Sequence, residues 1–270
     1  MKDRTPVLTG RNNPKIKQIR TLRQRKGRDE TGLFLVEGIR HIGEAVEARA
    51  QIETLCYAPG LLTSTFAKEL VETQQASGTL CLALEAEVFT SLADKENPQG
   101  LLAVVHKPTW TLNQLNPENF PWGVALLAPQ DPGNIGTILR TLDAVGASGL
   151  LLLENSADPY HPSAVRASMG ALFWYPVVQT SFVDFIRWAK AQFYTIYGTS
   201  AHGSTDYQTV EHYQLPLILL LGSEREGLSP EQAGQCDRLL RLPMRGRVTS
   251  LNLAVAAGVM LYDMLEKLSQ

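Results

Sequence analysis

The stretch VALLAPQDPGNIGTILRT (124–141) decides how the chain is read. VALLA (124–128) is a short apolar strand, and ILRT lies on an apolar helical run that follows. Between them, Pro129 to Gly136 form a polar, glycine-containing turn. A strand, a tight turn and a helix in that order mark an α/β sheet, whose ligands gather beyond the carboxyl ends of the strands. The first question is whether the turn cradles a nucleotide phosphate. A dinucleotide fingerprint needs G-x-G-x-x-G, with an acid closing the next strand. Only G-x-x-G is present, in GNIG (133–136), although Glu154 does close GLLLLE (149–154). A P-loop lysine is also absent, so a dinucleotide-dependent oxidoreductase is a minor reading. Asp131 and Asn134 are good turn or cap residues, and Gly133 and Gly136 permit close backbone approach. Arg140, six residues past Asn134, is long enough to reach back toward the strand ends.

Working outward, strand signals recur at WYPVVQ (174–179), FYTIYG (193–198), LPLILLLG (215–222) and RLLRLPM (238–244). Near-continuous apolar strands separated by helical segments predict a mostly parallel sheet covered on both faces. LPLILLLGSEREGLS (215–229) ends its strand on Gly222, followed by Ser223 and Glu224. A glycine there brings backbone polar groups against a ligand, and Glu224 is placed to orient an arginine or bind a hydroxyl. In LPMRGRVTSLNLAVAAGVMLYDML (242–265), Ser250 and Asn252 precede a helix of small residues, and Ser250 is a plausible N-cap. No histidine stands near either residue in the manner of a hydrolase triad.

Upstream, NPKIKQIRTLRQ (13–24) predicts a helix with Ile16, Ile19 and Leu22 on one face, and KGRDETG (26–32) predicts a loop. Strand–helix–strand alternation then continues, giving a small α/β domain over 1–106. KPTWTLNQLNPENFPWG (107–123) has no period and reads as a linker to a second domain, 124–270.

The net charge of −2 conceals an asymmetry. Residues 1–28 hold ten Lys/Arg and one acid, whereas the remainder is acidic. The basic segment suits sequence-independent phosphate contacts, and equally the solvated face of a helix. Three distant cysteines and five scattered histidines support neither a disulfide framework nor a metal site. No apolar run is long enough for a membrane span and no signal core opens the chain, so a cytoplasmic protein is expected.

Three segments together, DPGNIGTILRT, LILLLGSEREGLS and RLPMRGRVTSLNLAVAAGVMLYD, resemble the three motifs of the SpoU (TrmH-like) branch of the SPOUT RNA methyltransferases. NPKIKQIRTLRQRKGRDETGLFLVEGIRHIGEAV resembles that family's L30e-like substrate-binding domain. The resemblance implies an α/β domain with a deep carboxyl-terminal trefoil knot, which general folding rules would never suggest. It implies S-adenosyl-L-methionine as cofactor, a homodimer, and methyl transfer to a ribose 2'-hydroxyl of RNA without a metal. By analogy with relatives, 23S ribosomal RNA is favoured over tRNA. A non-catalytic RNA-binding or ribosome-assembly protein is the alternative from another class, and the intact motif residues weigh against it. Carried over by motif position, the catalytic set is Arg140, Asn134, Glu224, Ser250 and Asn252. Gly222, Leu242, Met244 and Leu251 line the cofactor. Thr249 departs from relatives that often carry an acid or another polar residue there, which affects local charge.

Overall fold

The computed structural model describes residues 7–94 and 96–268, and the chain divides into two compact units. The part of the basic amino-terminal segment at residues 1–6 lies outside the described residues.

The first unit runs to Pro108 and also takes Tyr160–Phe173. It opens with α1 (Pro14–Thr21), capped by the Asn13 side chain, which accepts from the Lys15 N–H at 2.9 Å. Ile16 and Ile19 are buried, as their spacing predicts. The expected loop over 26–32 is instead a helix, α2 (Arg25–Thr31), ending on Gly32 at φ 68°. Composition hid it, because its Arg28 is not a surface residue. Only 1% exposed, Arg28 donates to the Leu22 and Arg23 carbonyls at 2.8 and 3.0 Å. Gly27 has no room for a side chain, since a Cβ there would lie 2.4 Å from the Thr21 carbonyl oxygen.

There follow β1 (Leu33–Glu37), α3 (Ile39–Glu47), β2 (Ile52–Tyr57), α4 (Thr65–Ala76), β3 (Leu80–Ala83), α5 (Ala86–Thr90) and β4 (Leu101–His106). The sheet order is β1-β4-β2-β3, with β4 antiparallel to both neighbours and β2 parallel to β3. Ile16, Ile19, Leu22, Leu35, Phe89 and Val104 belong to one core cluster. That burial is what makes the shallow apolar stripe of α1 sufficient to hold the helix.

The second unit consists of Thr109–Pro159 and Trp174–Gln270. Residues 107–123 therefore do not form a free linker. Leu115 and Phe120 are core residues of this unit, the Trp188 indole donates to the Leu115 carbonyl at 3.2 Å, and β5 (Trp122–Leu127) already begins within the stretch. Proline and asparagine content flagged irregular backbone there, but irregular backbone can still be packed.

After β5 come α6 (Pro132–Val145), β6 (Gly149–Leu153), α7 (Pro162–Ala167, part of the first unit), β7 (Val177–Thr180), α8 (Phe182–Ala191), β8 (Thr195–Thr199) and β9 (Thr205–Asp206). Then follow β10 (Leu217–Leu221), α9 (Pro230–Ala233), β11 (Arg238–Arg241) and α10 (Leu253–Leu268). The placement of α7 departs from the expected single carboxyl-terminal domain. Within the first unit, Arg166 on α7 forms an ion pair with Asp94, and its carbonyl lies 3.3 Å from the His41 ring.

The seven strands of the second sheet are in the order β7-β6-β5-β10-β8-β11-β9, and every pairing is parallel. β5, β6 and β10 are buried throughout, as their unbroken apolar runs predict. Because the strands are parallel, the segments that leave β5, β10 and β11 emerge along one edge of the sheet.

Candidate active site

The turn after β5 begins with Ala128 at φ 45°, a left-handed conformation that costs a β-carbon residue about 1–3 kcal/mol. Asp131 caps α6, its carboxylate accepting from the Gly133 N–H at 2.8 Å. The close approach expected at Gly133 is limited to this cap, since a Cβ there would meet Asp131 Oδ1 at 3.1 Å. With the cap supplied by Asp131, Asn134 is left for another task. It is 8% exposed and donates from Nδ2 to Glu224 Oε1. Its Oδ1 accepts from Asn252 Nδ2 at 3.1 Å. Glu224 also accepts from the Gln130 N–H at 3.4 Å.

Asn134, Glu224 and Asn252, which lie up to 118 residues apart in sequence, thus form one hydrogen-bonded group. It ties together α6, the turn after β10 and the start of α10. The sequence suggests that Glu224 sets the geometry of an arginine. It is engaged by Asn134 and Gln130 instead, and Gln130 does not stand out from sequence. The only signal for Gln130 is a polar residue directly before the capping Asp131.

The capping assignment at α10 is also corrected. Asn252 Oδ1, not Ser250, accepts from the Ala254 and Val255 N–H groups at 2.9 and 3.3 Å. Ser250 lies two residues farther out on an exposed loop. Asn252 does both jobs because an amide has an acceptor for the helix end and a donor for Asn134.

Gly222 follows β10 directly, and the turn folds back on it through reciprocal Ser223–Gly227 backbone bonds of 3.0 Å. A Cβ on Gly222 would stand 2.3 Å from the Gly227 carbonyl carbon. The loop from β11 to α10 presents half-buried Leu242 and Met244 and an exposed Leu251. The N–H groups of residues 244–251 donate to no described residue. Apolar side chains beside unused backbone donors form a set suited to a nucleoside, with apolar surface for the ring faces and N–H groups for the ring edge.

Arg140 is exposed, and makes no hydrogen bond or ion pair with any described residue. Glu154, the acid that favours a dinucleotide reading, accepts from the Phe182 N–H at 2.6 Å. It is thereby taken up at the start of α8. Burial pushes the Cys56 thiol up to about 12 and that of Cys236 to about 11, so neither offers a ready thiolate.

The profile of the SpoU rRNA Methylase family matches residues 121–262, which contain all of the motif residues. The chain belongs to the SpoU rRNA methylase family. Residues 13–103 match an MRM3-like substrate binding domain. A 23S rRNA (uridine(2479)-2'-O)-methyltransferase of Streptomyces viridochromogenes is 35% identical, over 97% of this chain and 93% of its own length. A 23S rRNA (guanosine(2553)-2'-O)-methyltransferase of Bacillus subtilis is 29% identical, over 93% of this chain and 96% of its own. Among solved structures, an AdoMet-bound rRNA methyltransferase from Sinorhizobium meliloti superposes with a TM-score of 0.88 at 36% identity, covering 97% of each chain. The SpoU assignment agrees with the parallel sheet and with the resemblance read from the three motifs.

Proposed function

We propose that this SpoU-family chain transfers a methyl group from S-adenosyl-L-methionine to a ribose 2'-hydroxyl in RNA, with 23S ribosomal RNA as substrate. The observation that carries the reading is the Asn134–Glu224–Asn252 group, which joins all three motif segments at one sheet edge. Two 23S rRNA 2'-O-methyltransferases align with nearly the whole chain, which supports the same reading.

Leu242, Met244, Leu251 and the backbone at Gly222 would hold the cofactor, which when bound supplies a methyl group on a positively charged sulfur, an excellent leaving group. The protein's task is then alignment of a weak nucleophile and management of its proton. The guanidinium of Arg140 is a cation that offers five N–H donors and no acceptor. Its role is therefore to bind the phosphate next to the target ribose and stabilise the oxyanion that develops, not to accept the proton. Its lack of a partner among the described residues leaves its donors available for that purpose. Asn134, Glu224 and Asn252 hold the loops in place, and Ser250 stands exposed on the substrate side. A phosphate oxygen or a neighbouring side chain takes the proton.

The same reading includes a carboxyl-terminal trefoil knot, a homodimer and action in the cytoplasm. Val255 and Tyr262, seven residues apart on one face of α10, are both about half exposed, and an apolar face of that kind supports pairing with a second copy. No helix among the described residues is long and apolar enough to cross a membrane.

Incubation with labelled S-adenosyl-L-methionine and total RNA, followed by mapping of 2'-O-methyl positions, tests the function. Label in 23S RNA is the expected result, and label confined to tRNA would reassign the substrate. Arg140→Ala is expected to bind the cofactor normally and lose on the order of a hundredfold or more in turnover. Full turnover by that variant would refute the role given to Arg140.

A further inference from the structure

The amino-terminal segment has the highest density of basic residues, but between residues 11 and 28 the structure pairs five of its cations with carboxylates. Arg11 pairs with Glu87, Lys15 with Glu53, Arg23 with Asp94, Arg25 with Asp29 and Lys26 with Glu30. Arg28 is buried against backbone carbonyls, and Arg20 donates to Ser91 Oγ at 3.0 Å. Each exposed pair is weak, at roughly 0–1 kcal/mol. What matters is the field, because five carboxylates sit well within the ~8–10 Å screening length of these cations. The pairing lowers the positive field of this face, where Lys17 stays exposed and two of the carboxylates, Asp29 and Asp94, are shared with Lys107 and Arg166.

The second unit shows the opposite arrangement. Arg225, Arg245 and Arg247 are exposed and make no hydrogen bond or ion pair with any described residue. Arg225 lies in the turn after β10, and Arg245 and Arg247 in the loop after β11, so the parallel sheet sends all three out at the edge that holds Asn134. The loop from Leu242 to Asn252 contains no acidic residue. Glu224, beside Arg225, is already held by Asn134 and Gln130, which leaves Glu226 as the other acid in that turn. Arg241 does not belong to this set, because it stands opposite Asp206 in the β11–β9 pairing.

We propose that Arg225, Arg245 and Arg247 form the phosphodiester-binding surface that carries the salt dependence of RNA binding, and that the basic helix region 11–28 does not. The inference rests on the function proposed above, for it takes RNA as the ligand. Arginine suits the task, with planar paired donors that match phosphate oxygens.

The test is fluorescence anisotropy with a labelled RNA hairpin transcribed from 23S ribosomal RNA, titrated at several salt concentrations. Each phosphate contact contributes about −0.7 to −0.9 to the slope of log K against log salt. The triple variant Arg225→Gln/Arg245→Gln/Arg247→Gln is expected to flatten the slope by about 2 units or more. The triple variant Arg11→Gln/Lys15→Gln/Arg25→Gln is expected to change it by less than about half a unit. Circular dichroism and a thermal melt establish that each variant is folded. A loop variant with the wild-type slope overturns the inference, as does a large loss of slope in the amino-terminal variant. Wild-type protein with no affinity for RNA overturns the proposed function together with this inference. A flat slope in a loop variant that still methylates RNA supports both.

Discussion

Asn134→Asp is the sharpest probe of the site. The substitution keeps the shape of the side chain and exchanges its NH2 group for an oxygen. In the native chain Nδ2 donates to the Glu224 carboxylate and Oδ1 accepts from Asn252 at 3.1 Å. In the variant the Asn252 bond survives, but two carboxylates face each other at hydrogen-bonding distance. At about 4 Å and an effective dielectric of about 20, their repulsion is roughly 4 kcal/mol. Glu224 is exposed, so solvent reduces this to about 2 kcal/mol, to which a lost charge-assisted hydrogen bond adds about 1–2 kcal/mol. The pair relieves the repulsion by keeping one proton, so one of its titrations moves upward in the folded state.

A carboxyl whose folded pKa is raised destabilises the fold while both groups are ionised, and that penalty fades as pH falls through the raised value. Urea unfolding should therefore show a deficit of about 3 kcal/mol near pH 8 that shrinks markedly near pH 5. Methyl transfer near pH 8 should fall by about a hundredfold, since loops displaced by an ångström misalign the nucleophile. An equal deficit at both pH values would refute the facing-carboxylate argument. Wild-type turnover near pH 8 would show that the hydrogen-bonded group has no part in the site.

Other consequences are simpler. Gly222→Ala forces a methyl to within 2.3 Å of the Gly227 carbonyl carbon, so the turn must open, with a stability loss of about 1–3 kcal/mol and weaker cofactor binding by calorimetry. Asn252→Ala removes both the cap of α10 and the Asn134 contact, at about 1–2 kcal/mol in urea unfolding, whereas Ser250→Ala should leave stability unchanged. In the first unit, the hydrogen bond from Arg166, and to a lesser degree the Arg23 charge, holds the Asp94 carboxyl below its ordinary value. The resulting stabilisation is present above the unfolded value near 3.8 and fades as pH falls below it. Asp94→Asn should remove that part of the acid sensitivity of unfolding, and the effect is small because the pair is partly exposed.

Sequence alone determined a good deal here. Unbroken apolar runs at 124–128, 149–153 and 217–221 announce buried parallel strands, because only a strand covered on both faces tolerates apolar residues at every position. The three motif segments, with Asn134, Glu224 and Asn252 in them, were visible from residue types and order. Tertiary structure decided what those side chains do to one another. Asp131 took the cap of α6, which freed Asn134, and Asn252 rather than Ser250 took the cap of α10, because the donor it also needs to give lies across the sheet edge. The same holds for charge. A count of lysines and arginines pointed to residues 1–28, but counting cannot see the carboxylates that folding brings from Glu53, Glu87 and Asp94. Local composition records which charges a segment owns; the net field depends on which distant charges are packed against it, and that is a property of the fold.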